Sequence, residues 1–115
     1  MNTTSQALPN LTWIRVPQWT KMSLVGFEKI PGLIRFLDGD EIVYIGMEAV
    51  SIARFRRFLT PGGTGKSHGG GRAIYARKDE LELEYAILEL PKFHLKRVRD
   101  RLIAEHRPSC NFERK

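Results

Sequence analysis

Gly32-Leu33-Ile34-Arg35-Phe36-Leu37-Asp38-Gly39-Asp40-Glu41-Ile42-Val43-Tyr44-Ile45-Gly46 is the stretch that decides the fold. Two apolar runs, 32–37 and 41–46, flank the polar link Leu37-Asp38-Gly39-Asp40. Asp-Gly between apolar runs signals a hairpin, because glycine readily takes the positive φ that tight hairpin turns demand. The spacing predicts two antiparallel strands, with Gly46 ending the second. Residues 47–59 then read as a helix. Met47, Val50, Ile52, Phe55, Phe58 and Leu59 supply its apolar side, and Arg54, Arg56 and Arg57 its outer side.

Further along, residues 82–90 alternate as a third strand, with Leu83, Tyr85 and Ile87 on one face. Pro91 opens a final helix over about 92–106, since proline is tolerated in a first turn. Leu95, Val98, Leu102 and His106 give that helix one stripe. Upstream, residues 1–10 read as a loose arm. Residues 11–31 mix Trp13, Trp19 and aliphatic residues with Pro17 and Pro31, too apolar for disorder and too broken for a long element. They are expected to pack across the domain with at most one short strand or turn, the tryptophans serving as core anchors.

The chain has 115 residues, enough for one domain with a modest core. No apolar run approaches the ~20 residues needed to span a bilayer, and the first residues lack the basic and apolar parts of a secretory signal. A single cysteine, Cys110, cannot form an internal disulfide and fits a reducing cytoplasm. It reads as a small buried hydrophobe. Net charge is +6, a balance that favours polyanionic partners through counterion release. Residues 1–46 are nearly balanced, so the second half carries the excess.

Gly62-Gly63-Thr64-Gly65-Lys66-Ser67 invites comparison with a phosphate-binding loop. That motif needs a glycine five places before Gly65, where Thr60 stands, and a helix starting at the lysine. His68-Gly69-Gly70-Gly71 is expected not to start a stable helix, so nucleotide hydrolysis is set aside. Residues 61–71 read as a flexible basic loop. Its glycine amides with Lys66 and His68 either follow a nucleic-acid backbone or form a plain connector. Residues 72–78 hold a short helix or strand.

Taken together, Gly32-Leu33-Ile34, Val43-Tyr44-Ile45-Gly46, Arg54 ten residues after Tyr44, and Leu102-Ile103 followed by Pro108-Ser109-Cys110-Asn111 resemble a GIY-YIG nuclease domain. The resemblance covers residues 32–115 and leaves 1–31 as an N-terminal extension packing on the domain. It implies an α+β fold: a small three-stranded antiparallel sheet flanked by helices. In that family a tyrosine from each strand motif lines the site, a helix arginine stabilises charge on the scissile phosphate, a glutamate on the last helix binds the divalent metal, and an asparagine ties the end of the chain to the sheet.

Carried over residue by residue, Tyr44, Arg54 and Asn111 match, with Gly32 and Gly46 in structural roles. Ile34 stands in place of the first tyrosine. The metal glutamate position, three before Leu102, is Arg99, and a guanidinium cannot ligate a metal. Three explanations stay open. Metal-dependent cutting is lost and Arg99 adds a phosphate contact; or Glu84 or Glu89 on the third strand rebuilds the metal site; or the register of the last helix differs. The implied function is binding of nucleic acid, DNA first, on a cationic face of Arg54, Arg56, Arg57, Lys66, His68, Arg72, Lys96 and Arg99. Tyr44, Arg54 and His68 are the candidate catalytic groups. An active Mg-dependent endonuclease is the first alternative, with Tyr44 as base. A dead fold binding a protein partner is the second. No membrane contact is expected.

Overall fold

The computed structural model describes residues 10–21, 29–59 and 69–112. Four antiparallel strands form one sheet in the order β1-β4-β2-β3. They are β1 (Ile14–Val16), β2 (Gly32–Asp38), β3 (Glu41–Glu48) and β4 (Glu82–Ile87). The β2–β3 hairpin turns at Gly39, whose φ of 64° is the left-handed conformation the Asp-Gly pair announced. β3 runs two residues beyond the sequence expectation, to Glu48. The N-terminal segment adds an edge strand: Ile14, Arg15 and Val16 pair with Tyr85, Glu84 and Leu83.

Strand alternation sends neighbouring side chains to opposite faces. On one face Val16, Ile34, Phe36, Tyr44, Leu83 and Tyr85 join a buried cluster with Trp19, Ile52, Phe55, Phe58 and Ile74. Trp19 fixes itself there by donating its indole N–H to the Leu81 carbonyl at 2.9 Å. On the other face Leu33 and Ile45 pack under Leu95, Val98 and Leu102 of α2 (Lys92–His106), with Trp13 against the same cluster. The stripe expected for α2 is therefore its buried side, except that His106 is exposed.

The expected helix over 47–59 is shorter, and it is a 3-10 helix over Ile52–Leu59. Ile52, Phe55 and Phe58 are its buried residues. A spacing of three stacks them in one row only at 3.0 residues per turn. The same geometry puts Arg54 and Arg57 in a second row and Arg56 in a third.

A second correction concerns Gly69. α1 (Gly69–Ala76) begins on the glycines expected to forbid a helix. Packing against the 3-10 turn Ser109–Phe112 and the 3-10 helix outweighs poor propensity, with Ile74 fully buried beneath. α2 ends at Arg107, whose left-handed conformation (φ 47°, ψ 57°) lets its N–H reach the Ile103 carbonyl at 2.7 Å. No helix among the described residues is long and apolar enough to cross a membrane.

Candidate functional site

Tyr44, Gly46 and Glu48 lie at alternate positions of β3 and so project from the same face. Tyr44 leans along the strand over Gly46. A Cβ on Gly46 would meet Tyr44 Cε2 at 2.8 Å and its hydroxyl oxygen at 3.2 Å, so this glycine makes room for the ring. Phe36 and Phe58 wedge the ring at centroid distances of 6.1 and 5.5 Å. Burial pushes the Tyr44 hydroxyl pKa up to about 12, against the opposing pull of Arg57 and Arg99. At neutral pH this phenol holds its proton.

Glu48 is 3 % exposed. Arg57 Nη1 hydrogen-bonds its Oε1 at 2.9 Å and lies 2.8 Å from Oε2, a contact between charges that lacks hydrogen-bond geometry. Burial raises the Glu48 carboxyl, while Arg57, by hydrogen bond and by charge, and Arg54, by charge, pull it back. Arg54 and Arg57, one row of the 3-10 helix, thus address one carboxylate. Arg54 itself is exposed, and so is Arg56 in its different row.

Arg99, half-buried on α2, approaches from the other side of β3 and bears on the Tyr44 hydroxyl by charge. Its guanidinium also holds Asp100, with Nη2 2.9 Å from Oδ1. Lys96 takes the other carboxylate oxygen of Asp100 at 3.0 Å. Arg72 is exposed on α1. Lys66 and His68 lie outside the described residues.

Asn111 closes the edge of β3. Its Oδ1 accepts from Ile45 N–H at 2.8 Å, and its Nδ2 donates to the Ile45 carbonyl at 2.9 Å. A primary amide in this pose offers the donor and acceptor that a neighbouring strand would offer. Gly32 sits against the Ala86 carbonyl so closely that any side chain would collide with backbone.

Glu84, considered above as a replacement metal ligand, belongs to the opposite face. It accepts from Arg35 Nε at 2.7 Å and from Arg15 Nη2 at 3.0 Å, and Trp13 covers Arg35 at 4.2 Å. Both of its oxygens are committed to arginines. Glu89 is exposed beyond the end of β4.

Sequence reasoning passed over Glu48. The signal was present: in Tyr44-Ile45-Gly46-Met47-Glu48 a period of two puts the glutamate on the tyrosine's face once the strand is extended by one more pair.

No protein-family model and no curated protein sequence matches the chain significantly. Two solved structures match with a TM-score of 0.63 at 20 % and 21 % identity. Each covers 85 % of this chain and 100 % of the other. Both are the GIY-YIG N-terminal endonuclease domain of UvrC from Thermotoga maritima, in tyrosine-to-phenylalanine variants bound to the catalytic divalent cation.

The surroundings of Tyr44 do not suit such a cation. Among the described residues no three His, Cys, Asp or Glu side chains gather in a metal-holding group. The one carboxylate bearing on Tyr44 is Glu48, with both oxygens against Arg57, and Arg99 adds a further positive charge. A divalent ion would have to displace one guanidinium and sit close to another. The order of strands and helices, the hairpin, the terminal helix and the asparagine tie converge on one architecture: the chain has the α+β fold of GIY-YIG endonuclease domains.

Proposed function

We propose that the protein binds nucleic acid, DNA first, through backbone phosphates on the arginine-lined side of Tyr44, and that it is impaired in metal-dependent cleavage. The observation that carries this reading is charge. Arg57 and Arg99 bear on the tyrosine by charge, Arg54 bears on Glu48 beside it, and the Glu48 carboxylate is already claimed by Arg57. Arginine forks match phosphate geometry and lose little on desolvation, so such a place receives an anion more readily than a cation.

Tyr44 supports the same reading. A phenol with a pKa of about 12 keeps its proton near pH 7 and is not available as a base there. The site would thus orient a backbone without activating water. The proposed face would also take in Arg56, Arg72 and Lys96; Lys66 and His68, expected to join it, lie outside the described residues. The net charge of +6 assists association at low salt. A chain whose single cysteine is buried fits work in the reducing cytoplasm.

Binding of a labelled duplex over a salt series tests the reading. Wild type should show affinity falling linearly with salt on logarithmic axes, and Arg54→Ala and Arg99→Ala should each lower the slope by about one. Incubation with plasmid and Mg²⁺ supplies the counter-test. Metal-dependent nicking that disappears in Arg54→Ala would overturn the claim of impaired cleavage and restore the endonuclease reading.

A further inference from the structure

α2 buries Leu95, Val98 and Leu102, and its opposite side carries an aromatic ring in the open. Phe93 is 68 % exposed, the most exposed large hydrophobic side chain among the described residues. It follows Pro91 by two residues, in the first turn, where the helix backbone is held by Leu95 N–H bonding to the Pro91 carbonyl at 2.9 Å. The His94 ring stands edge-on to it at 5.9 Å, and the Arg97 guanidinium lies 5.9 Å from its centre.

At about 100° per residue, Phe93, Arg97 and Asp100 fall nearest the outermost line of the helix, with Lys96 and Arg101 on either flank, and the Asp100 carboxylate is taken up by Lys96 and Arg99. The same count turns Arg99 about 120° away, toward Tyr44. The outer face is therefore a surface separate from the arginine cluster. Lys96 shares Asp100 with Arg99, whereas neither Arg97 nor Arg101 has an acidic partner among the described residues.

An open ring beside uncompensated guanidinium groups has two complementary features. The ring face suits another flat, desolvated π-system, and the cations suit phosphates spaced along a strand. Lipid is a poor match, because the outward line offers a single large apolar residue and no stripe. Paired bases are a poor match too, since their faces are already stacked inside the duplex.

We infer that the outer face of α2 is a second nucleic-acid contact, specific for unpaired nucleotides, in which a base stacks on Phe93 while Arg97 and Arg101 hold the phosphates beside it. This rests on the nucleic-acid reading above and adds to it a preference for strands that are single or splayed open.

The test is fluorescence anisotropy of the full chain with a labelled oligothymidylate, an abasic strand of equal length and a duplex, at low salt. Phe93→Ala should weaken oligothymidylate binding about tenfold, the worth of one stacked base, with duplex and abasic-strand binding unchanged. Phe93→Trp should restore it. Because the ring is exposed, both variants should melt with wild type. Equal affinity of wild type and Phe93→Ala for oligothymidylate overturns the stacking claim and leaves the phosphate-binding reading standing, and so does equal weakening on all three ligands. Failure of the wild type to bind any strand overturns both. A wild-type dimer that Phe93→Ala splits into monomers overturns the inference by giving the ring to a second copy.

Discussion

A carboxylate taken out of water at Glu48 costs several kcal/mol unless a cation follows it, and Arg57 is that cation at 2.8 Å. The two partners are not equally dependent. Arg57 retains access to solvent, with a side chain 25 % exposed, while that of Glu48 is 4 % exposed. Arg57→Ala should therefore destabilise by about 3–5 kcal/mol, and Glu48→Gln, which leaves a neutral acceptor facing a wetter guanidinium, by clearly less. Because the folded-state pKa of Glu48 is raised, its contribution is most favourable below the ordinary value of 4.5 and is lost as pH rises through the folded value. Removing Arg57 raises that value further. The Arg57→Ala defect, read by urea denaturation, should accordingly be large at pH 7 and shrink below about pH 4.5.

Tyr44 offers a second measurement at this scale. The ultraviolet difference between wild type and Tyr44→Phe on alkaline titration should develop near pH 12 rather than 10.0. Arg99→Ala should move it higher still, because Arg99 lowers the value. A transition at the ordinary position would mean that the hydroxyl is not enclosed as described.

At the scale of elements, β3 depends on a residue 66 positions away from Ile45. Asn111→Ala would leave the Ile45 N–H and C=O without partners, at a cost of about 1–3 kcal/mol. Hydrogen exchange should show it locally, as faster exchange of the Ile45 amide. Asn111→Asp keeps the acceptor and loses the donor, so it should fall between the two.

The hairpin, β4 and α2 were legible because their signals are local: Asp-Gly at the turn, alternation from 82, and Pro91 followed by Leu95, Val98 and Leu102, although β4 ends at Ile87, three residues short of the expected 90, and leaves Ile87 exposed. The rest depends on contacts between distant residues. β1 is three residues followed by Pro17, and only pairing with Tyr85, Glu84 and Leu83 makes it a strand. α1 starts on glycine because its neighbours hold it, which propensity cannot report. Residues 47–59 read as a helix with its period unspecified, because apolar residues at 52, 55 and 58 fit either period loosely, and the buried row decides for 3-10 over Ile52–Leu59. At the site, Tyr44, Arg54 and Asn111 could be named from spacing. The period of two also places Glu48 on the tyrosine's face, but its burial was not legible, since that depends on Arg57 arriving from another element.

For the molecule as a whole, acid stability should be set by the cluster on the opposite face. Burial acts to raise the Glu84 carboxyl, but the arginines at 35 and 15 together outweigh it and hold the pKa below the ordinary 4.5. A depressed folded-state value contributes stability that is present above 4.5 and lost as pH falls through the folded value. Asp100, held down by Lys96 and Arg99 against a similar effect of burial, has the same sign. Glu84→Gln should thus be more destabilising at pH 7 than near pH 3, as measured by thermal melts at the two values. A defect of equal size at both would mean that the glutamate acts by packing alone.

The sheet has two outer margins, β1 and β3. On the β3 side Asn111 bonds to both backbone groups of Ile45. During synthesis the β2–β3 ribbon leaves the ribosome long before the asparagine that covers its flank. Until residue 111 emerges, the backbone at Ile45 is open to pairing with another nascent strand. Closure of this flank therefore waits for residue 111, and a chain stalled short of that asparagine would be a natural client for a chaperone.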